Sequence, residues 1–216
     1  VTGVQTCALP IYLRRLGIED HTRLTPTHQL VVSDNVYIPD HTSSFEFEFE
    51  YVSGNFVCNA APLLSLEGAP RTVGGTFDCR YTPITSLEHA PQTVGLNFYC
   101  RDTHITSLKH APQTVGGDFN CSCTNITSLE HAPQSVGGSF YLYNTRLTSL
   151  KGIHKTHRNW KIGGVLYLPG GCADIVGLAL IEGISCVEIL GTAFDLSDHD
   201  PHTFQEKLLD AGLRAQ

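Results

Sequence analysis

"ITSLEHAPQTVG" (Ile84–Gly95) returns as "ITSLKHAPQTVG" (Ile105–Gly116) and "ITSLEHAPQSVG" (Ile126–Gly137), each copy starting twenty-one residues after the one before. The interval reaches beyond the phrase. It links Leu66, Leu87, Leu108, Leu129 and Leu150, and equally Phe56, Phe77, Phe98, Phe119 and Phe140. Cys58, Cys79, Cys100 and Cys121 keep the same step, with Leu142 in the fifth place. A period of this length marks a coil that cannot bury its own apolar side and stacks on copies of itself. In F-x-C the outer two residues face one side of a short strand and the middle one faces the other. Stacking at about 4.8 Å then draws the Phe and Cys into ladders through one core. Each buried Phe contributes roughly 1.5–3 kcal/mol, so several coils are needed to offset chain entropy.

The return half of each unit carries Pro70, Pro91, Pro112 or Pro133, which lacks a backbone donor and blocks a regular helix. Gly74-Gly75, Gly116-Gly117 and Gly137-Gly138 then allow a sharp bend back into the strand. The expectation is an extended or turn-like return with few helices.

Outside the regular units, "FEFEFEYV" (Phe45–Val52) alternates with period two, yet it precedes Val52-Ser53-Gly54 in the V-G-G slot. It is therefore expected to form the return of an irregular first coil whose strand lies near "NVYI" (Asn35–Ile38). "YLRRLGI" and "QLVV" suggest a short helix and a strand covering the open edge. After Leu150 about five extra residues precede a last strand, "VLYL" (Val165–Leu168). Next, "CADIVGLALIEGI" reads as an apolar helix and "CVEIL" as a strand. "DPHTFQEKLLDAG" reads as a helix with Asp200 as N-cap, Pro201 at the first helical position and Gly212 closing it. Residues 1–11, "VTGVQTCALPI", follow codon by codon the translation of a common short-read sequencing adapter. They are expected to be an assembly artefact, with the natural chain beginning upstream and Cys7 outside the cysteine count.

Each unit matches the leucine-rich-repeat pattern L-x-L-x-x-N/C-x-L-x-x-L, with Phe and Cys in the first two Leu places. Ala61, Thr82, Thr103, Thr124 and Thr145 stand where that pattern has Asn, and a Thr hydroxyl can make a similar, weaker local bond. The units "LLSLEGAPRTVGGTFDC" and "ITSLKHAPQTVGGDFNC", with the entry "YLRRLGIEDHT" and the exit "IVGLALIEGI", resemble leucine-rich-repeat proteins of tailed-phage and environmental viral (metagenomic) sequences. Members of that family generally carry Gly where this chain has His89, His110 and His131. The resemblance implies a solenoid with no catalytic residues to transfer. The expected fold is a leucine-rich-repeat solenoid with a parallel β-sheet on the concave face, an extended or turn-like convex side and a small α/β C-terminal cap. Its expected divisions are an artefact segment 1–11, an N-terminal cap 12–34, the solenoid 35–168 and the C-terminal cap 169–216.

The outward positions flanking and splitting each F-x-C vary where the core positions do not. They include Asp78, Arg80, Tyr99, Arg101, Asn120, Tyr141 and Tyr143, and Arg with Tyr is the composition of protein-binding anchors. The plain alternative is a solvated face. A net charge of -7 argues against nucleic acid, and no apolar run approaches the ~20 residues of a membrane span. The four cysteines in ladder form no C-x-x-C, so packing is the expected role, with unpaired thiols pointing to a reducing bacterial cytoplasm. His89, His110 and His131 should stack one strand apart and could share a soft divalent ion, or simply decorate the surface. The ladder Glu67, Glu88, Lys109, Glu130 and Lys151 mixes signs and should contribute little. Cys172-Ala173-Asp174 matches the C-x-D motif of bacterial effector ubiquitin ligases, but too few residues follow for such a domain. The expectation is a non-enzymatic, phage-encoded protein-binding scaffold with no cofactor and no metal, and the alternatives are a structural virion component or a ubiquitin-ligase fragment.

Overall fold

Two-residue strands recur once per coil on each side of the chain, because each repeat has two places where an inward apolar residue stands beside an outward polar one. Phe77–Asp78, Phe98–Tyr99, Phe119–Asn120 and Phe140–Tyr141 supply one set; Thr72–Val73, Thr93–Val94, Thr114–Val115 and Ser135–Val136 supply the other. In the computed structural model, which describes residues 3–151 and 153–213 with side chains from Ala8 onward, these strands form a parallel β-solenoid of about eight turns. One sheet has nine strands and carries the Phe residues; the other has eight and carries the Val residues. Phe77, Phe98, Phe119 and Phe140 lie in direct register, each pairing with its equivalent one coil away. The return side is thus extended as its prolines require, and it also pairs between coils into a sheet of its own.

The core is a column of rings. Phe56, Phe77, Phe98 and Phe119 stack with centroids 5.7, 5.3 and 5.1 Å apart, nearly parallel. Phe49 closes one end edge-on at 5.2 Å. At the other end Phe140 and the buried Trp160 turn edge-on, and the Trp160 indole donates to the Pro133 carbonyl at 2.6 Å. Cys58, Cys79, Cys100 and Cys121 are fully buried beside this column, and none is disulfide-bonded. Thr82, Thr103 and Thr124 donate to the carbonyls of Cys79, Cys100 and Cys121, each at 2.7 Å, which is the local turn bond anticipated for the Asn place.

The coil-to-coil fit also fixes the glycine pair. Asn35, Asn55, Asn97 and Asp118 each offer Oδ1 to the backbone N–H of Asn55, Thr76, Asp118 and Ser139 in the next coil, all at 2.8 Å. A Cβ on the second glycine of the following coil (Gly54, Gly75, Gly117 or Gly138) would collide with that oxygen. Leu96 takes the second-glycine place in the one intervening coil, where the residue below is Thr76 and offers no such Oδ1.

At the N-terminal end, Leu30–Val32 extends the Val-bearing sheet and is covered by the antiparallel strand Thr22–Leu24. Phe49–Val52 pairs with Leu30–Val32 and Thr72–Val73, so the second half of the alternating Phe45–Val52 stretch forms the return of the first coil, while its first half, residues 45–48, is not strand. Val36–Tyr37 is the first strand of the Phe-bearing sheet. A helix runs over Gly3–Leu16. The segment 1–11 falls largely within that helix, residues 1 and 2 lying outside the described residues.

At the other end, Leu166–Leu168 pairs with Phe140–Tyr141, and Cys186–Ile189 adds one more parallel strand. Thr192–Asp195 then ends the sheet antiparallel. Pro201–Asp210 is a helix whose N-cap Asp200 accepts from the His202 and Thr203 amides. The long helix expected from "CADIVGLALIEGI" is only the six-residue 3-10 turn Ile175–Leu180. Beyond it the backbone is drawn into pairing with the preceding coil, the Gly183 carbonyl accepting from the Ile162 amide at 2.8 Å and Ile184 bridging Ile162. Among the described residues, no helix is long and apolar enough to cross a membrane.

Candidate functional site

The outward middle residue of each Phe-bearing strand lands beside its equivalent in the next coil. Register therefore builds a row that reads Val57, Asp78, Tyr99, Asn120, Tyr141, Tyr167, Glu188. Two residues further along each strand, Arg80, Arg101, Ser122 and Tyr143 follow the same stacking. All seven positions singled out from the sequence thus lie on one sheet face, and the structure divides them into two chemically different halves.

In the first half the cations are already matched. Arg80 Nε and Nη2 donate to the two carboxylate oxygens of Asp78 at 2.9 and 2.7 Å, and its guanidinium lies 5.2 Å from the centre of the Tyr99 ring. The paired carboxylate holds the Arg80 guanidinium above its already high range. Asp78 is 5% exposed, so it orients Arg80 and has little surface left for a partner. Arg101 repeats the arrangement with different neighbours. Its Nε donates to Asp102 at 2.8 Å and its Nη2 to the Tyr81 hydroxyl at 3.0 Å, with the guanidinium 5.5 Å from the Tyr81 ring centre.

The second half is aromatic and acidic. Tyr141 and Tyr167 stack at 4.6 Å, and Tyr143 tilts against Tyr167 at 5.3 Å. The Tyr143 hydroxyl donates to Glu188 at 2.6 Å, and burial with this carboxylate pushes its ionisation well upward. Burial also raises Tyr99 and Tyr167, and the Asp118 carboxylate adds to both shifts. Asn120, half-buried, spends its Oδ1 on the Ser122 amide at 3.0 Å. Ser122 Oγ is buried and without a hydrogen-bond partner among the described residues.

Sequence reasoning missed four members of this surface. Tyr81 and Asp102 lie in the turn after the strand, with backbone φ of 60° and 55°, and Glu188 belongs to a strand outside the repeat. Only Tyr167, which holds the repeat position despite the longer coil before it, carried a readable signal in "VLYL".

The other candidates separate from this face. Cys172 is 7% exposed, and burial, with Asp174 nearby, pushes its thiol up to about 12. The adjoining Ala173 is strapped to the last repeat by hydrogen bonds with the Thr148 carbonyl and the Leu150 amide. A thiol so held is protonated at neutral pH and is a poor nucleophile. His89, His110 and His131 occupy left-handed turns with φ of 66°, 68° and 64°, the place Gly68 fills one coil earlier. Among the described residues, no three His, Cys, Asp or Glu are grouped to hold a metal ion. A groove of about 510 Å³ runs between Leu24, Phe45, Leu64 and Gly68 at the N-terminal end, sharing no residue with the aromatic row. Leu9, from the segment read as extraneous, lines it as well. No protein-family model matches the chain, and neither does any curated protein or solved structure.

Proposed function

We propose that the chain is a leucine-rich-repeat scaffold, phage-encoded and non-enzymatic, that recognises a protein partner through the outward face of the Phe-bearing sheet, its concave side. The 21-residue repeat and its resemblance to phage repeat proteins support the assignment of type. The observation that carries the binding role is the row itself. Invariant inward residues build the coils, while the outward row gathers Tyr99, Tyr141, Tyr143 and Tyr167 with two arginines on adjoining strands. Tyr and Arg deliver large contact area at small ordering cost and dominate binding energies at interfaces. A face needed only for solubility would have no use for so many half-buried rings.

The test is capture from infected bacterial cells, comparing the natural chain with a triple variant, Tyr99→Ala, Arg101→Ala, Tyr141→Ala. These side chains are not in the core, so Trp160 fluorescence should report an intact fold while capture of the partner falls at least tenfold. Unchanged capture overturns the assignment to this face. Recovery of the chain from purified virus particles in stoichiometric amounts replaces recognition with a structural role.

A further inference from the structure

The two arginines that look like the anchors of this face are already neutralised, and that observation decides the chemistry of what can dock. Arg80 is held by both oxygens of Asp78, and Arg101 is held by Asp102 and the Tyr81 hydroxyl. The unmatched charge lies in the other half of the face and is negative. Asp118 uses one carboxylate oxygen for the Ser139 amide, and neither it nor Glu188 is in a salt bridge among the described residues.

Between Tyr99 and Tyr141 the register places only the short Asn120. The two rings stand two strand steps apart, about 9.6 Å, and leave a slot over Asn120. The far side of Tyr141 is covered by Tyr167, stacked at 4.6 Å, so its free face is turned toward the slot. A cation midway would sit about 4.8 Å from both rings, inside the ~6 Å range of cation–π attraction. This face already uses the contact twice, at 5.2 Å for Arg80 on Tyr99 and 5.5 Å for Arg101 on Tyr81. Asp118 lies two residues before Asn120 on the same outward face, close enough to act on the ionisation of both Tyr99 and Tyr167. Ser122, two residues after it, has a buried hydroxyl with no hydrogen-bond partner among the described residues.

We infer that the partner presents a basic segment, with an arginine side chain entering the slot between Tyr99 and Tyr141 over Asn120 while Asp118 and Glu188 supply the opposing charge. An acidic segment or a nucleic acid would meet these two carboxylates and find the arginines occupied. A net charge of -7 favours the same partner at long range. This rests on the proposed protein-binding role and names the chemistry of the bound segment.

The experiment is fluorescence anisotropy on the full chain with three labelled peptides of equal length, in which glycine alternates with arginine, lysine or glutamate. Asp118→Asn with Glu188→Gln is the informative variant. Asn97 already fills the Asp118 ladder place in the preceding coil, and Gln keeps an acceptor for Tyr143. The arginine peptide should bind more tightly than the lysine peptide, and the glutamate peptide should not bind. The double variant should weaken the arginine peptide at least tenfold, and Tyr141→Ala should do the same. Glu88→Gln with Glu130→Gln removes the same charge from exposed turns and should leave binding within twofold. Equal loss in both double variants would mean attraction by net charge alone and would overturn the slot. So would binding of the glutamate peptide, or an arginine peptide indifferent to the Asp118 and Glu188 changes. If those results came while the triple variant still lost its cellular partner, the basic-segment inference would fall and the binding face would stand.

Discussion

Asn97 Oδ1 accepts the Asp118 amide at 2.8 Å, and the same oxygen occupies the space where a Cβ on Gly117 would have to go. The glycine and the acceptor below it are therefore one device. Gly117→Ala should cost about 1–3 kcal/mol by forcing the coils apart or breaking the bond. In an Asn97→Thr background most of that additional cost should vanish, since Leu96 sits above Thr76 in the same relationship. A double-mutant cycle by urea unfolding measures the coupling, expected at about 0.5–3 kcal/mol. Additive costs would show that Gly117 is required for some other reason.

The Phe column and the Tyr row occupy adjacent residues on opposite faces, so neighbouring truncations should behave differently. Phe98 is fully buried between two parallel rings, and Phe98→Ala should cost about 3–5 kcal/mol. Tyr99→Ala removes a half-buried ring without opening a cavity and should cost about 1 kcal/mol or less. Each coil contacts only its neighbours, so the Phe98 loss should weaken the interfaces on both sides and broaden the unfolding transition. Equal costs at positions 98 and 99 would place the core elsewhere.

How far the sequence could be read depended on whether a contact repeats. Phe56, Cys58 and Leu66 announce the core because their equivalents return at a fixed step, and each inward position was legible. The second sheet was half legible. Pro91 and Pro112 ruled out a helix, but nothing in a T-V pair declares that it will hydrogen-bond to the next T-V pair until the coils are stacked. The Asn97–Gly117 pairing was available in principle, because the lone Leu96 coincides with the lone Thr76. The neutralisation of Arg101 was not, since Asp102 and Tyr81 come from turns in different coils whose left-handed backbone directs them onto the sheet face. The short Ile175–Leu180 turn eluded the pattern for a similar reason: the Ile162 backbone that pairs with Gly183 and Ile184 is distant in sequence.

Thiol labelling separates a packing role from a reactive one at Cys172. Burial raises its ionisation to about 12, so its thiolate fraction at pH 8 is about 10⁻⁴. In a Cys7→Ser chain under native conditions, the exposed Cys123 should take up iodoacetamide first, with Cys58, Cys79, Cys100, Cys121 and Cys172 protected until the protein unfolds. Peptide mapping identifies the site. Labelling of Cys172 at a rate matching Cys123 would revive a nucleophilic role for the C-x-D segment.

Acid should loosen the long coil through His157. The ring is half-buried against Trp160, with centroids 5.0 Å apart, and its Nε2 contacts the Leu129 carbonyl at 3.1 Å. Burial lowers its pKa below the ordinary histidine range, the Leu129 contact opposing this only in part. A base whose folded pKa is depressed binds more protons when unfolded, so its contribution to stability is complete above about pH 6.5 and is lost as pH falls through the folded value. Melting followed by fluorescence of Trp160, the only tryptophan, should therefore show a lower Tm at pH 5.5 than at pH 7.5. His157→Gln, which cannot take up the proton, should reduce that drop, and the difference between the two chains isolates this residue from the other histidines. Parallel pH curves for both chains would show that His157 titrates alike in the folded and unfolded states, and the burial argument for this coil would fail.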